Sequence, residues 1–215
     1  MNIDIMRQDI YSIAKNKNFY FPAKNELNIL SDIAKEAYIN YPLHNWFFNG
    51  KYDYVNSKNI MHYMLKSMYD SSIIYADEKI PNGFLMALLP SNSRNNNLDF
   101  FIKVGIKVLF RNGIETIKRL KQFDEWTSEI GEKFTNNKDI YLYNICVKKR
   151  EQHHGIATKL LEPIIEYCNK TNNICYLDTN LQSNVIFYQH IGFKLLLKTK
   201  IPGSDVDHLC MGYNM

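Results

Sequence analysis

Between residues 141 and 168 the hydrophobic pattern changes period, and that change constrains most of what the chain can become. Tyr-Leu-Tyr-Asn-Ile-Cys-Val, ending at Val147, is rich in β-branched and aromatic types and short enough for a buried strand. Residues 148–152 are too polar to continue it. From Gly155 the apolar residues fall at Ile156, Leu160, Leu161, Ile164, Ile165 and Cys168, the spacing of one helical face. Pro163 lies inside that run. An interior proline removes a hydrogen bond and crowds the preceding turn, which predicts a kink. The expectation is strand, polar loop, helix.

Such a junction favours anions. The first N–H groups of a helix have no intrahelical partner and stand at the positive end of its dipole. Gly155 has no Cβ and Ala157 only a methyl, so a phosphate can approach the main chain there. Gln152, His153 and His154 offer side-chain donors. The plain alternative is an ordinary strand-turn-helix with a glycine at its bend.

Gln152-His153-His154-Gly155-Ile156-Ala157 resembles the acetyl-coenzyme A pyrophosphate loop of the GNAT superfamily of N-acetyltransferases. That pattern is Gln or Arg, two variable residues, Gly, one variable residue, then Gly or Ala. Val147, five residues earlier, matches the valine that ends the family's preceding strand. At the two variable positions, where Gly and Lys or Arg are usual, this chain has His. Downstream, Asn184-Val185-Ile186-Phe187-Tyr188-Gln189-His190-Ile191-Gly192-Phe193 resembles the family's Asn-Val-x-Phe-Tyr-x-x-x-Gly-Phe segment. Two motifs in order, about 30 residues apart, are more specific than either alone.

The resemblance implies a mixed α/β fold: a central mixed, mostly antiparallel sheet flanked by helices. Its central strands would splay beyond Val147 and near Thr179. It implies acetyl-coenzyme A as cofactor. The pantetheine arm would pair with Ile145, Cys146 and Val147 as an added strand does. The diphosphate would lie on Gln152, His153, His154, Gly155, Ile156 and Ala157. Asn184 would bond the cofactor or fix the strand-to-helix turn. Tyr188 is the implied general acid, since a phenol with a pKa of about 10 can protonate a departing thiolate. The implied reaction is acetyl transfer to a primary amine of a small molecule or peptide, by direct attack in a ternary complex. The general base stays open among Glu78, Asp178, His44, His208 and a chain of waters. The strand carries Asn144 and Cys146 where some relatives have Glu. A catalytically silent acyl-coenzyme A-binding protein on the same fold is therefore the alternative.

A length of 215 residues fits one domain, with residues 1–17 as an extension, 98–134 as a helical insert and 141–193 as the cofactor-binding core. The formal charge of +4 is spread among interspersed acids, so no nucleic-acid partner is expected. The apolar patch at residues 100–110 is broken by Lys103 and Lys107 and is shorter than the ~20 residues of a membrane span. Cys146, Cys168, Cys175 and Cys210 lack CxxC spacing, which fits reduced thiols in a cytoplasmic protein and gives no metal site. The expected assembly is a monomer or homodimer.

Along the rest of the chain, residues 1–17 predict a leading helix with Met6 and Ile10 on its apolar side. Phe19-Tyr20-Phe21 reads as a strand closed by Pro22. Residues 26–39 and 57–69 read as amphipathic helices. Residues 40–48 read as an aromatic loop holding His44 and Trp46, which the resemblance sets beside the acceptor. Residues 73–76 and 83–89 predict an antiparallel hairpin. Two helical stripes, 98–109 and 117–134, meet at Asn112-Gly113. This insert resembles a GNAT subgroup that includes puromycin-type acetyltransferases. It either covers an acceptor pocket or serves packing or dimerisation. Residues 194–201 and 208–213 read as closing strands around a Pro-Gly turn.

Overall fold

The computed structural model describes residues 3–90, 106–136 and 139–215. In chain order the elements are α1 (Ile3–Asn16), α2 (Leu27–Ala37), α3 (Pro42–Phe47), α4 (Tyr54–Ser67), β1 (Ser72–Ala76) and β2 (Gly83–Leu88). There follow α5 (Ile106–Gly131), β3 (Ile140–Val147), α6 (Ile156–Thr171), β4 (Cys175–Thr179), α7 (Gln182–Ile191), β5 (Lys194–Lys200) and β6 (Asp207–Tyr213). The strands form one sheet in the order β1-β2-β3-β4-β6-β5, antiparallel except at β3–β4. This is the mixed, mostly antiparallel α/β architecture expected.

Alternation along the strands separates two apolar layers. Ile73, Tyr75, Leu85, Ala87, Leu142, Leu177 and Leu209 pack under α1, α6 and α7. Ile74, Ala76, Phe84, Met86 and Cys146 pack under α2 and α4. Tyr176 and Cys210 meet Trp126 and Ile130 of α5. Met86 faces Asn144 while Ala87 faces Leu142, so Tyr143 is the extra residue of a bulge in β3. The β3–β4 ladder holds only Ile140 to Cys175 and Tyr141 to Tyr176. Beyond Tyr141 the two central strands part, as the splayed sheet requires.

Several local expectations need correction. Phe19 to Phe21 is not a strand: only Tyr20 pairs with the sheet backbone, by an isolated bridge to Ala76, while the Phe19 and Phe21 rings pack on Tyr75. The Tyr20 hydroxyl instead donates to Glu26 at 2.8 Å, which turns the chain toward α2. The aromatic segment at 40–48 is not a loop but contains α3, with Pro42 at its first turn where a missing N–H costs nothing. The second amphipathic helix, α4, starts before Ser57, because Asp53 caps it by accepting the N–H groups of Val55 and Asn56, each at 3.0 Å. Pro163 is buried inside α6, which runs on through it to Thr171. In the insert, α5 is two helical stretches meeting at Gly113 (φ 80°, ψ 173°), at the expected Asn112-Gly113 break. The stripe residues Leu98, Phe101, Ile102 and Gly105 lie outside the described residues. All four cysteines are free and buried. Among the described residues no helix is long and apolar enough to cross a membrane, and no cluster of His, Cys, Asp and Glu can hold a metal ion.

Candidate active site

The loop between β3 and α6 is built from both sides. Its first residue is fastened to the β1–β2 turn, where the Lys148 N–H donates to the Asn82 carbonyl at 2.8 Å. That turn is itself held by Asp77, whose carboxylate accepts the N–H groups of Asn82 (2.9 Å) and Gly83 (3.0 Å). A short 3-10 turn, Lys149–Glu151, follows. The Gln152 side chain then donates back to the Val147 carbonyl at 3.3 Å, so its amide shapes the loop from within. His153 (φ 66°) and Gly155 (φ 81°) take left-handed backbone angles, which turn the chain into α6.

The result is an open row of donors. Gly155 is the N-cap of α6 and makes no side-chain cap bond. The first helical bond runs from the Lys159 N–H to the Gly155 carbonyl at 3.0 Å, so the N–H groups of Ile156, Ala157 and Thr158 precede the intrahelical ladder. His153, His154 and Gly155 are exposed, and a Cβ built on Gly155 meets nothing within 4 Å. Gly83 supports this from below: a Cβ there would lie 2.9 Å from Ile156 Cγ2 and 3.1 Å from the Cys146 carbonyl oxygen. The open loop adjoins Ile145, Cys146 and Val147, which pair with β2 and, among the described residues, with no strand on the β4 side.

The far end of the gap is lined by tyrosines that sequence reasoning missed. Tyr38 donates to Asn144 Oδ1 on β3, across 106 positions of sequence. Tyr41 accepts the N–H of Asn180 at 3.0 Å and lies 3.2 Å from Thr179 Oγ1 at the end of β4. The two tyrosines, one just after α2 and the other just before α3, thus touch opposite sides of the splay. Burial pushes the Tyr38 hydroxyl well above the ordinary phenol range and Tyr41 up to about 12, so both stay protonated. Their only sequence signal was aromatic density near residue 40.

The residues expected to act are distributed around this gap. Tyr188, on α7, is buried between Phe187 (5.0 Å) and Phe193 (5.4 Å). Burial, with Tyr41 next, raises its phenol above the ordinary value. Asn184 donates to Thr179 Oγ1 at 2.9 Å, the turn-fixing arrangement. Cys146 is buried and its thiol is pushed up to about 12 by desolvation, so it is not a thiolate nucleophile. His44 stacks on Tyr38 at 4.1 Å, and burial pushes its imidazole down to about 3, too weak a base to take an amine's proton at neutral pH. Trp46 turns toward the insert: Arg119 donates to its carbonyl at 2.5 Å and lies 5.4 Å over its ring. The structure thus brings Asn184, Thr179 and Tyr41 together at one end of the gap, packs Tyr188 between Phe187 and Phe193 on α7, and seats Trp46 against the insert beside Phe123. Asp178, one of the possible bases, accepts from Tyr141 at 2.7 Å on the opposite face of β4 from Thr179.

Residues 123–195 match the family model for the acetyltransferase (GNAT) domain. That span holds β3, α6, β4 and α7, the elements that frame the gap. Solved structures with a similar fold include one described as histone acetyltransferase HPA2 and related acetyltransferase from Corynebacterium glutamicum. It has a TM-score of 0.62 at 14% identity over 90% of this chain and 93% of that one. Arylalkylamine N-acetyltransferase 2 from Aedes aegypti gives 0.56 at 13% identity, over 90% and 96%. The ribosomal-protein-S18-alanine N-acetyltransferase from Escherichia coli gives 0.51 at 12%, over 91% of each. At such identities the likeness is one of fold. No curated protein sequence matches the chain.

A GNAT acetyltransferase takes its acetyl group from acetyl-coenzyme A. The residues present fit that group: donors at an exposed helix start for a diphosphate, and an unpaired strand edge for an amide-bearing arm.

Proposed function

We propose that this GNAT acetyltransferase acetylates a primary amine of a small molecule or peptide by direct attack in a ternary complex. The observation that carries the reading is the open row of main-chain donors around Gly155, beside the unpaired edge of β3. In this reading Gln152 shapes the loop, and the N–H groups from His153 to Ala157 receive the diphosphate. His153 and His154 flank it in solvent. Ile145, Cys146 and Val147 offer their edge to the pantetheine arm. Acetyl-coenzyme A, when bound, supplies an activated acyl carbonyl.

Tyr188 holds the proton that the departing sulfur needs. Its burial keeps the phenol protonated but also makes it a weaker acid than a free tyrosine. Its first service is therefore a hydrogen bond to the developing thiolate, with the proton following as charge builds on sulfur. Asn184 acts on Thr179, fixing the end of β4 from which Asn180 meets Tyr41. Direct attack is favoured over an acyl-enzyme because the buried Cys146 thiol stays protonated. The broken helix α5 supports placing the chain with the subgroup that includes puromycin-type acetyltransferases.

The test is a thiol-release assay with acetyl-coenzyme A against a panel of small amines and peptide N-termini, alongside calorimetric binding of coenzyme A. Binding with amine-dependent thiol release supports the reading. Binding without release for every amine would leave a silent binding protein instead.

A further inference from the structure

His208, the second residue of β6, is fully buried, and neither ring nitrogen has a hydrogen-bond partner among the described residues. A buried polar group left unpaired is costly, so an imidazole with both nitrogens orphaned asks for a partner. Its surroundings indicate which. Trp126 of α5 lies edge-on at 4.8 Å and Phe123 at 6.2 Å. On the neighbouring strand Asp178 pairs with Cys210, two residues beyond His208 and on the same face. Asp178 is half-buried, and its Oδ2 is fixed by the Tyr141 hydroxyl at 2.7 Å. Tyr141 is the last β3 residue paired to β4, so this carboxylate stands at the mouth of the splay. Trp126 is itself half-buried, so the ring that packs on the imidazole also reaches solvent.

We infer that Asp178 and His208 form the acceptor subsite of the acetyl-transfer centre, and that the acceptor is a monocationic primary amine on a flat apolar body. This rests on the acetyl-transfer reading above. The Asp178 carboxylate receives one ammonium N–H in a charge-assisted bond, and a His208 nitrogen accepts another, gaining the partner it lacks; the ammonium loses a proton to solvent before its nitrogen attacks. Burial lowers the imidazole's pKa and the nearby Asp178 only partly offsets this, so the ring is neutral and keeps an accepting lone pair. Phe123, Trp126, Tyr141 and Tyr176 give aromatic walls that suit both a ring and a cation. A single positive charge balances the carboxylate that acts on His208, Asp178. Entry moves the Trp126 ring off the imidazole.

The experiment compares the wild-type protein with Asp178→Asn and His208→Gln, both close in shape to the originals. Each is assayed with an arylalkylamine (2-phenylethylamine), a polyamine (spermidine) and a peptide N-terminal amine, and each is checked for acetyl-coenzyme A binding by calorimetry. The expected result is that wild type prefers 2-phenylethylamine. Each variant should raise the KM for that amine about tenfold, with acetyl-coenzyme A affinity within about twofold of wild type. Titration of 2-phenylethylamine into wild type should also change Trp126 fluorescence, and Trp126→Phe should remove that change. Preference for spermidine or the peptide overturns the inference. So does an unchanged amine KM in both variants, while wild type still releases coenzyme A. Absence of release with every amine overturns the acetyl-transfer reading and this subsite with it.

Discussion

Replacing Gly155 with aspartate places a carboxylate where the account puts a diphosphate. Two effects must be separated. Gly155 has φ 81°, and a residue with a Cβ is disfavoured there by about 1–2 kcal/mol. The added Cβ itself meets nothing within 4 Å, so Gly155→Ala reports this backbone cost alone. Aspartate tolerates the left-handed region better than most residues, so its backbone cost is no larger. The remainder is charge. A carboxylate about 5 Å from a phosphate charge is repelled by about 3 kcal/mol at an effective dielectric of 20, and by under ~1 kcal/mol in bulk water. For an exposed loop we expect about 1–3 kcal/mol, or roughly 5- to 150-fold weaker coenzyme A binding for Gly155→Asp than for Gly155→Ala. Calorimetry at about 0.1 M and 1 M salt provides the check, because screening should narrow the gap between the two variants at the higher salt. Equal affinities for the two variants at low salt would refute the placement of the diphosphate.

Tyr188→Phe should lower kcat with coenzyme A binding nearly unchanged, and full turnover would remove the proton-donor role. Because the Tyr188 phenol is raised and its protonated form is the active one, its titration should not produce a falling limb below about pH 10; a limb near pH 8 that disappears in Tyr188→Phe would contradict this. Gly83→Ala would set a methyl 2.9 Å from Ile156 Cγ2, so we expect about 1–3 kcal/mol of destabilisation and weakened coenzyme A binding, read by thermal melting and calorimetry. An unshifted melt would show that the start of α6 gives way freely. His44 (about 3) and His208 both have lowered folded-state pKa values, so the unfolded chain binds the extra protons. Stability from these groups is present above about pH 6.5 and declines as pH falls toward 5, by up to about 1.4 kcal/mol per pH unit for each imidazole. Denaturant midpoints that stay flat from pH 7 to 5 would mean that the rings take up protons without loss of the fold.

The parts of the molecule legible in the sequence are those carried by local period and local turns. The strand ending at Val147, the helix after Gly155 and the hairpin around residues 77–82 announce themselves through alternation, helical spacing and breakers, and the structure has all three. The splay also follows from the resemblance, and β3–β4 pairing does stop at Tyr141. What stayed hidden depends on contacts between distant positions. Tyr38 meets Asn144, and Tyr41 meets Thr179, over separations of 106 and 138 residues that no window can read. α3 is six residues long, too short to show a period, so its aromatic run passed for a loop. Tyr20 has strand-like neighbours but bonds Glu26, and one bridge is all it adds to the sheet. Trp46, set beside the acceptor by resemblance, is held against α5 by Arg119, 73 positions away in sequence. His208 was named in the sequence only among possible bases, since its orphaned position between strands and insert is a property of the folded chain.

The central claim is that free main-chain N–H groups around Gly155 receive the diphosphate. Amide-resolved NMR of the 15N-labelled protein, titrated with coenzyme A, tests it most directly. The account predicts that the amides from His153 to Ala157 show the largest shifts and gain protection from hydrogen exchange on binding. Saturable binding that leaves those amides unmoved would contradict it.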